Sequence, residues 1–238
     1  MADDDLARLI DHSLLHPTLS DAEIRAGCEL ALRYNVAAVC VKPAAVRLVA
    51  DLLAGSQTAV CTVVGFPHGA NLSEVKAFEA ERACRDGASE LDMVVNVGWV
   101  LAGEWDRVAA DIRGVVEVAH DHGGITKVIF ENDYLPDDAT KIRLCEICRE
   151  VGAEYVKTST GFGFVRQPDG HYDYRGATDA DVRLMVDHAG PAMRVKAAGG
   201  IRTRADAEKM RDLGVSRIGA SATAAILDAP GSQPNPLG

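Results

Sequence analysis

Residues 126–158 read TKVIFENDYLPDDATKIRLCEICREVGAEYVKT, and this stretch decides the predicted fold. It begins with a short apolar run at Thr126–Asn132, continues through an amphipathic segment at Asp137–Val151, and ends on a second apolar run at Glu154–Thr158. Nearly continuous apolar runs of this length are typical of parallel strands that are covered by helices. The stretch therefore predicts one strand–helix–strand unit.

The same alternation runs along most of the chain and predicts eight strands, which are Leu9–Leu15, Ala37–Val41, Thr58–Gly65, Glu90–Val95, Thr126–Asn132, Glu154–Thr158, Arg194–Ala198 and Arg217–Ala220. Helices are predicted between and after them, at Asp21–Tyr34, Ala44–Leu53, Asn71–Asp86, Glu104–His120, Asp137–Val151, Asp179–Asp187, Arg204–Leu213 and Ala222–Leu227. Eight evenly spaced units match an α/β fold of the (β/α)8 TIM barrel type, whereas an open doubly wound sheet, the alternative, needs no such number. We expect a single barrel domain at residues 1–228 and a flexible C-terminal tail at residues 229–238, which are rich in Pro, Gly and polar residues.

Composition narrows the function classes. The chain carries 25 Lys and Arg against 35 Asp and Glu, a formal net charge of −10, which argues against a nucleic-acid partner. No apolar run approaches the roughly 20 residues of a membrane helix, and the acidic start is unlike a signal peptide, so no membrane partner is expected. The six cysteines are then read as reduced thiols of a cytoplasmic protein. Cys145 and Cys148 form an isolated C-x-x-C without a second pair, and no metal site is expected.

Three lysines interrupt apolar strands. Lys127 opens its strand, and we expect it at the bottom of the barrel, where residues serve stability. Lys157 and Lys196 end neighbouring strands and should point to the C-terminal face, where barrel enzymes hold their active sites. For one isolated strand lysine, a salt bridge or a side chain that reaches to the rim is the simpler explanation.

Two such lysines close together indicate a catalytic amine rather than a structural salt bridge. Neighbouring ammonium groups in a poorly hydrated site destabilise each other, which lowers the pKa of at least one amine, and a neutral amine attacks carbonyl groups to form Schiff bases. Asp92 interrupts the strand LDMVV and would partner both lysines, either balancing their charge or moving protons between reaction steps. Asp11, which lies within LIDHSLL, is a further carboxylate that could join this network.

Glycine-rich loops follow the last two predicted strands. AGGIRT runs from Ala198 and IGASA from Ile218, and each loop leads into a predicted helix. Glycine lets backbone N–H groups approach an anion, and barrels often bind phosphate at these two loops, although either loop alone is also explained as a tight turn. The predicted phosphate-binding residues are Gly199, Gly200, Arg202, Gly219 and Ser221. The implied ligand is a small phosphorylated carbonyl compound.

Eight motifs occur in order along the chain: LIDHSLL from Leu9, VCVKP from Val39, GFPHG from Gly65, LDMVVN from Leu91, KVIFEN from Lys127, VKTSTG from Val156, KAAGGIRT from Lys196 and RIGAS from Arg217. With these motifs the chain closely resembles the 2-deoxyribose-5-phosphate aldolases, a family of class I aldolases with a (β/α)8 barrel. The resemblance extends from residue 9 to residue 221. Its most specific part is the pairing of VKTSTG with KAAGGIRT.

The resemblance implies roles for individual residues. Lys157 would form the imine, while Asp92 and Lys196 would transfer protons and tune the amine. Asp11, Ser13 and Gly161 join the loop glycines, Arg202 and Ser221 as predicted substrate-binding residues. The implied reaction is reversible cleavage of 2-deoxy-D-ribose 5-phosphate to acetaldehyde and D-glyceraldehyde 3-phosphate, in deoxyribose phosphate catabolism. It requires no cofactor or metal, its partners are phosphosugar and aldehyde substrates, and the implied assembly is a homo-oligomer, either a dimer or a tetramer.

Two features depart from the family pattern. Ser13 stands where the family motif usually has threonine, a change that keeps the hydroxyl. A long stretch between Gly161 and Gly176 follows the sixth strand and either covers the site, with Arg166 or Arg175 contacting phosphate, or forms a solvated loop. Two other functions stay open at this point. One is a different Schiff-base barrel, such as a transaldolase-like enzyme, and the other is a non-catalytic phosphosugar-binding protein.

Overall fold

The computed structural model describes residues 2–228, and within them eight parallel strands close into a barrel. The barrel strands are β1 Ile10–Leu14, β2 Ala38–Val41, β3 Ala59–Val64, β4 Glu90–Val94, β5 Ile125–Ile129, β6 Tyr155–Lys157, β9 Arg194–Ala198 and β10 Arg217–Ala220. Because β1 pairs with both β2 and β10, the sheet has no open edge. The predicted (β/α)8 barrel is confirmed, and the alternative of an open sheet is wrong. Two short strands outside the barrel, β7 Val165–Arg166 and β8 Tyr172–Asp173, form an antiparallel hairpin.

The helices are α1 Ala2–Ala7, α2 Asp21–Tyr34, α3 Val46–Leu52, α4 Ser73–Arg85, α5 Val97–Leu101, α6 Trp105–Asp121, α7 Asp138–Val151, α8 Asp179–Ala189, α9 Arg204–Asp212 and α10 Thr223–Leu227. Side-chain caps start several of them where the sequence predicted a start. Thr178 Oγ1 accepts from the backbone N–H of Asp181 at the start of α8, and Thr203 and Asp206 form a capping box at α9. The sequence did not predict α1 and α5, which are too short to show a helical apolar repeat.

Side chains of the barrel strands alternate between the interior and the surrounding helices. One half of the interior is apolar, with Ala38, Cys40, Cys61 and Val63 packed beneath Leu15. The other half is charged. There the strand register makes Lys157 the direct neighbour of Lys196 and makes Asp92 the direct neighbour of Lys127, so that these side chains meet inside the barrel.

A buried ion pair joins the helix layer to the end of strand β4. Lys76 of α4 and Asp111 of α6 are both buried, and Lys76 Nζ lies 2.6 Å from the Asp111 carboxylate. The same ammonium donates to the backbone oxygen of Val94, at 2.9 Å. This pair ties two helices to the strand that carries Asp92.

The predicted tail at residues 229–238 lies outside the described residues, and the division of the chain at residue 228 stays a prediction. No helix in the described part of the chain, residues 2–228, is both long enough and apolar enough to cross a bilayer.

Candidate active site

Asp92 is the centre of a buried charge cluster inside the barrel. Its side chain is fully buried, and its carboxylate accepts from three ammonium groups at 2.7 Å, those of Lys127, Lys157 and Lys196. Burial by itself would raise the pKa of Asp92, but the three cations outweigh this effect and hold that pKa well below its ordinary value. Asp92 is therefore ionised throughout the neutral pH range.

Lys196 is held as a cation by two carboxylates. Its Nζ donates to Asp92 and also to Asp11, which in turn accepts from Arg217 at 2.5 Å. Burial would lower the pKa of Lys196, yet Asp11 and Asp92 together keep it above its ordinary value, while the pKa of Asp11 lies below its own. Neighbouring lysines alone would lower the pKa of Lys196, but the two carboxylates raise it.

Lys127 does not lie where the sequence predicted it. Instead of sitting apart at the bottom of the barrel, its Nζ pairs with Asp92 and Glu90, each at 2.7 Å, and lies 3.2 Å from Cys61 Sγ. The strand register explains the difference, because Lys127 is the lateral neighbour of Asp92 on β5. Sequence reasoning also missed Glu90 and Arg217, although both occupy the inward positions two residues before Asp92 and Gly219.

The cluster carries one cation more than it has carboxylates. Its members are the carboxylates of Asp11, Glu90 and Asp92 and the cations of Lys127, Lys157, Lys196 and Arg217. Lys127, Lys196 and Arg217 each pair with at least two carboxylates, whereas Lys157 pairs with Asp92 alone among the described residues. Lys157 is therefore the cation of the cluster that makes the fewest ion pairs.

Lys157 also differs from Lys127 and Lys196 in its position along its strand. It is the last residue of β6 and is 3% exposed, whereas Lys127 and Lys196 are fully buried. Its position at the C-terminal end of a barrel strand is the one that supports catalysis in this fold. The arrangement gives one amine at the end of a barrel strand, held by a carboxylate with a fixed cation beside it, which is suited to attack on a carbonyl group.

Two groups of buried residues have the donor atoms of metal ligands, namely Cys40 with Cys61 and Asp92, and Asp11 with Cys61 and Glu90. Both groups contain a carboxylate that is already paired with the Lys127 ammonium. A divalent cation placed there would be repelled at short range by that charge. The donor set therefore favours ammonium partners over a metal ion.

The predicted phosphate-binding residues lie at the ends of β9 and β10. Gly199 and Gly200 follow β9 with left-handed backbone angles, φ 93° and φ 82°, and the Gly199 carbonyl accepts from the N–H of Ala177 at 3.1 Å. Arg202 and Ser221 are exposed on the same side. Their roles in binding remain predictions.

Gly219 has a packing role that the sequence did not reveal. It lies within β10, and a methyl group built on it would lie 3.0 Å from Ala198 Cβ and 3.4 Å from Lys196 Cε. Glycine at this position therefore makes room for the Lys196 side chain. The other predicted binding residues lie around the mouth: Ser13 Oγ donates to the Asp11 carbonyl at 3.4 Å, and Gly161 adopts φ 83° with open space beside it.

The long stretch after β6 both covers the mouth and extends into solvent. Phe162 packs edge-on against Phe66 with ring centroids 5.4 Å apart, while β7 and β8 form the outer hairpin. The Asp133 carboxylate fastens the end of the stretch by accepting from the N–H groups of Arg175 and Gly176. The Arg175 side chain pairs with the same carboxylate, at 3.3 Å, and the Arg166 side chain is exposed. These positions do not direct either arginine towards the glycine loops, and contact of Arg166 or Arg175 with phosphate stays a prediction.

A cavity at the mouth is lined by Pro67, His68, Val97, Glu131, Tyr134, Phe162 and Gly163. Glu131 adopts left-handed backbone angles, φ 57°, which are uncommon for a residue other than glycine and concentrate at functional sites. Its buried carboxylate accepts from the Thr160 N–H at 3.1 Å and from the Thr160 hydroxyl. Burial raises the pKa of Glu131. Sequence reasoning missed this residue, because KVIFEN gives no indication that the glutamate turns inward.

Comparison with known proteins agrees with this geometry. The family model described as DeoC/LacD family aldolase matches residues 6–227. The chain belongs to this family of aldolases. A deoxyribose-phosphate aldolase of Rhodopirellula baltica is 48% identical over 223 residues, which cover 94% of this chain and 88% of that protein. A deoxyribose-phosphate aldolase of Clostridium perfringens is 46% identical, with 94% of each chain covered.

Solved structures of aldolases share the fold. The deoxyribose phosphate aldolase of Aeropyrum pernix, described as having a unique tetrameric structure, superposes with a TM-score of 0.85 at 32% identity and covers 95% of this chain and 91% of that chain. An aldolase named QR15 superposes with the same TM-score at 36% identity, covering 94% and 95%. The chain is therefore a carbon–carbon lyase, and the resemblance stated from its motifs is confirmed.

Proposed function

We propose that this aldolase reversibly cleaves 2-deoxy-D-ribose 5-phosphate to acetaldehyde and D-glyceraldehyde 3-phosphate through a Schiff base on Lys157. The observation that carries the proposal is the placement of Lys157, the last residue of β6, whose Nζ is held 2.7 Å from Asp92. The family of the chain and its deoxyribose-phosphate aldolase relatives support the substrate.

The reaction follows from the chemistry of the amine. The neutral Lys157 amine adds to C1 of the open-chain sugar, and loss of water gives a protonated imine. The bond between C2 and C3 then breaks: its electron pair moves to C2, the imine becomes an enamine, and the C3 hydroxyl gives up its proton as C3 becomes the aldehyde of glyceraldehyde 3-phosphate. Protonation at C2 and hydrolysis release acetaldehyde and restore the amine.

Neighbouring residues supply protons and charge. Asp92 contacts Lys157 directly and is placed to accept and return protons as the carbinolamine forms and loses water. Lys196 keeps its charge because Asp11 and Asp92 hold it. This fixed cation donates to the same Asp92 oxygen as Lys157 does. At the far end of the substrate, the backbone of Gly199 and Gly200 would receive the phosphate, aided by Arg202 and Ser221.

The test measures the release of acetaldehyde from 2-deoxyribose 5-phosphate. A coupled assay with alcohol dehydrogenase detects the acetaldehyde. We expect turnover by the wild-type chain and none above background by Lys157→Met. Lys209→Met is the matched control, because Lys209 is a half-exposed lysine of α9 that pairs with Asp179 away from the barrel interior. Cleavage of a ketose phosphate, with no cleavage of 2-deoxyribose 5-phosphate, would favour a transaldolase-like enzyme, and binding without turnover would favour a phosphosugar-binding protein.

We also infer that the enzyme works as a homo-oligomer, a dimer or a tetramer, in the cytoplasm. The tetrameric Aeropyrum pernix relative supports the assembly, and the six free cysteines support a reducing compartment. Its net charge of −10 argues against a nucleic-acid partner. Light scattering of the purified protein measures the assembly, and a monomeric mass at assay concentrations would contradict it.

A further inference from the structure

Ser159 lies directly above the reactive lysine. The Thr158 N–H donates to the Lys196 carbonyl at 3.2 Å, so the strand pairing of β6 continues one residue past Lys157. Because side chains alternate along a strand, Ser159 shares the inward face of Lys157, one step closer to the mouth. The side chain therefore borders the space into which a carbon chain attached to Lys157 would extend.

The Ser159 hydroxyl is buried and has no partner. Ser159 is 1% exposed, and its Oγ forms no hydrogen bond with any residue in the range 2–228. The hydroxyls on either side are satisfied, since Thr158 donates to the Ala198 carbonyl at 3.0 Å and Thr160 donates to Glu131. Buried hydroxyls in proteins are nearly always hydrogen-bonded, and an exception at the mouth of an active site indicates a place for a ligand group.

The position of Ser159 relative to the glycine loop indicates which ligand group it meets. A methyl group built on Gly199 would lie 3.5 Å from Ser159 Cβ, so Ser159 stands between Lys157 and the loop proposed to hold the phosphate. In the proposed substrate, C2, C3 and C4 lie between the imine carbon C1 and the phosphate-bearing carbon C5, and of these only C3 and C4 carry oxygen. The oxygen on C3 reacts, whereas the C4 hydroxyl does not and is the one nearer to the phosphate.

We propose that Ser159 Oγ hydrogen-bonds the C4 hydroxyl of the substrate, which is the 2-hydroxyl of the acceptor aldehyde in the synthetic direction. Ser159 then determines specificity for acceptors that carry a hydroxyl next to the aldehyde. The inference rests on the proposed function. It adds a residue that discriminates among phosphorylated aldehydes, because a site built to bond a hydroxyl loses that bond with an analogue that lacks it.

The experiment compares two acceptors in the addition of acetaldehyde. D-glyceraldehyde 3-phosphate carries the hydroxyl, and 3-oxopropyl phosphate lacks it. We expect Ser159→Ala to lower kcat/KM about tenfold with the first acceptor, as for one lost hydrogen bond, and to leave kcat/KM unchanged with the second. Thr126→Val is the matched control. It also removes a buried hydroxyl without a partner, from a position on β5 that faces away from the interior, and should leave both values unchanged.

Other results would contradict either the role of Ser159 or the proposed function. Equal losses with both acceptors, or no loss with either, overturn the role of Ser159 in specificity. A melting temperature of Ser159→Ala below that of the wild type would show a structural role and also contradict the inference, since no hydrogen bond of the free protein is removed. Absence of turnover by the wild type with both acceptors would instead overturn the proposed function, and the inference with it.

Discussion

Oδ2 of Asp92 lies 2.7 Å from Nζ of Lys157, and this is the one ion pair that Lys157 makes within residues 2–228. The same oxygen accepts from Lys196 at the same distance. One carboxylate thus orients the proposed nucleophile and links it to a cation of fixed charge. The chemistry of the barrel and much of its stability depend on this contact.

Asp92→Asn should lower both turnover and the stability of the protein. Turnover of the folded protein should fall by about 10²–10⁴-fold, the range for a general acid–base residue. Urea unfolding should show a loss of roughly 3–5 kcal/mol, because three buried ammonium groups lose a shared partner. Asp181→Asn is the control, because Asp181 pairs with Lys141 between α7 and α8 and its loss should lower stability without lowering turnover. Wild-type turnover in folded Asp92→Asn would exclude proton transfer by Asp92.

Lys196→Met should move the rate-against-pH profile to higher pH. The pKa of Lys196 lies above its ordinary value because Asp11 and Asp92 outweigh its burial, so Lys196 is a cation at every pH of the assay. Removing a fixed cation beside a reactive amine takes away a repulsion that disfavours the protonated form of an amine, so activity should require a higher pH. The measurement is kcat against pH for the wild type, Lys196→Met and Lys141→Met, a second buried lysine outside the barrel interior. An unmoved profile for Lys196→Met would remove Lys196 from the mechanism.

His12 should make the protein less stable below pH 6.5. Burial lowers its pKa to about 4, and its neutral ring is hydrogen-bonded to Thr223, with Nδ1 and Oγ1 2.8 Å apart. A histidine with a depressed pKa in the folded state contributes stability that is present above its unfolded pKa and is lost as the pH falls towards the folded value. The loss between pH 6.5 and pH 4 is roughly 3 kcal/mol for this group.

The measurement for His12 is the free energy of unfolding by urea at several pH values from 7 to 4. His12→Gln keeps a polar side chain near Thr223 but cannot take up a proton in this range, so its stability should fall less steeply with pH. The carboxylates titrate alike in both proteins, and their contribution cancels in the comparison. Parallel curves for the two proteins would show that the His12 pKa is not depressed.

The Lys76–Asp111 pair should behave as a buried ion pair whose members depend on each other. Lys76→Met leaves the Asp111 carboxylate buried without its cation and should cost about 3–5 kcal/mol in unfolding free energy. The double variant Lys76→Met with Asp111→Leu should cost less than the single variant, because no charge is left buried. Urea unfolding of both variants measures the difference. A double variant as unstable as the sum of the two single variants would contradict the coupling.

The sequence was sufficient to predict the barrel because several strands are nearly continuous apolar runs and the eight strands alternate with amphipathic segments. It also brought together Asp92, Lys157 and Lys196, since charged residues at the ends of apolar strands are costly unless they meet. The predicted strands Arg194–Ala198 and Arg217–Ala220 have the observed bounds, and the other six differ from the observed strands by one to three residues at one or both ends.

Lys127 could not be placed from its strand alone. Its distance from the mouth depends on the lateral register of β5 with β4, which a single sequence does not contain. Glu131 was missed for a related reason, because its inward turn comes from a left-handed backbone that no residue in KVIFEN requires. The hairpin of β7 and β8 has strands of two residues each, too short for an alternating pattern to be recognised.

The most direct test of the account is reductive trapping of the Schiff base. The protein is incubated with acetaldehyde and borohydride, digested, and mapped by mass spectrometry. We predict one ethyl group on the peptide that contains Lys157, abolished in Lys157→Met and retained in Lys209→Met. Absence of an adduct on Lys157, or an adduct on Lys127 or Lys196 in its place, would contradict the assignment of Lys157 as the nucleophile.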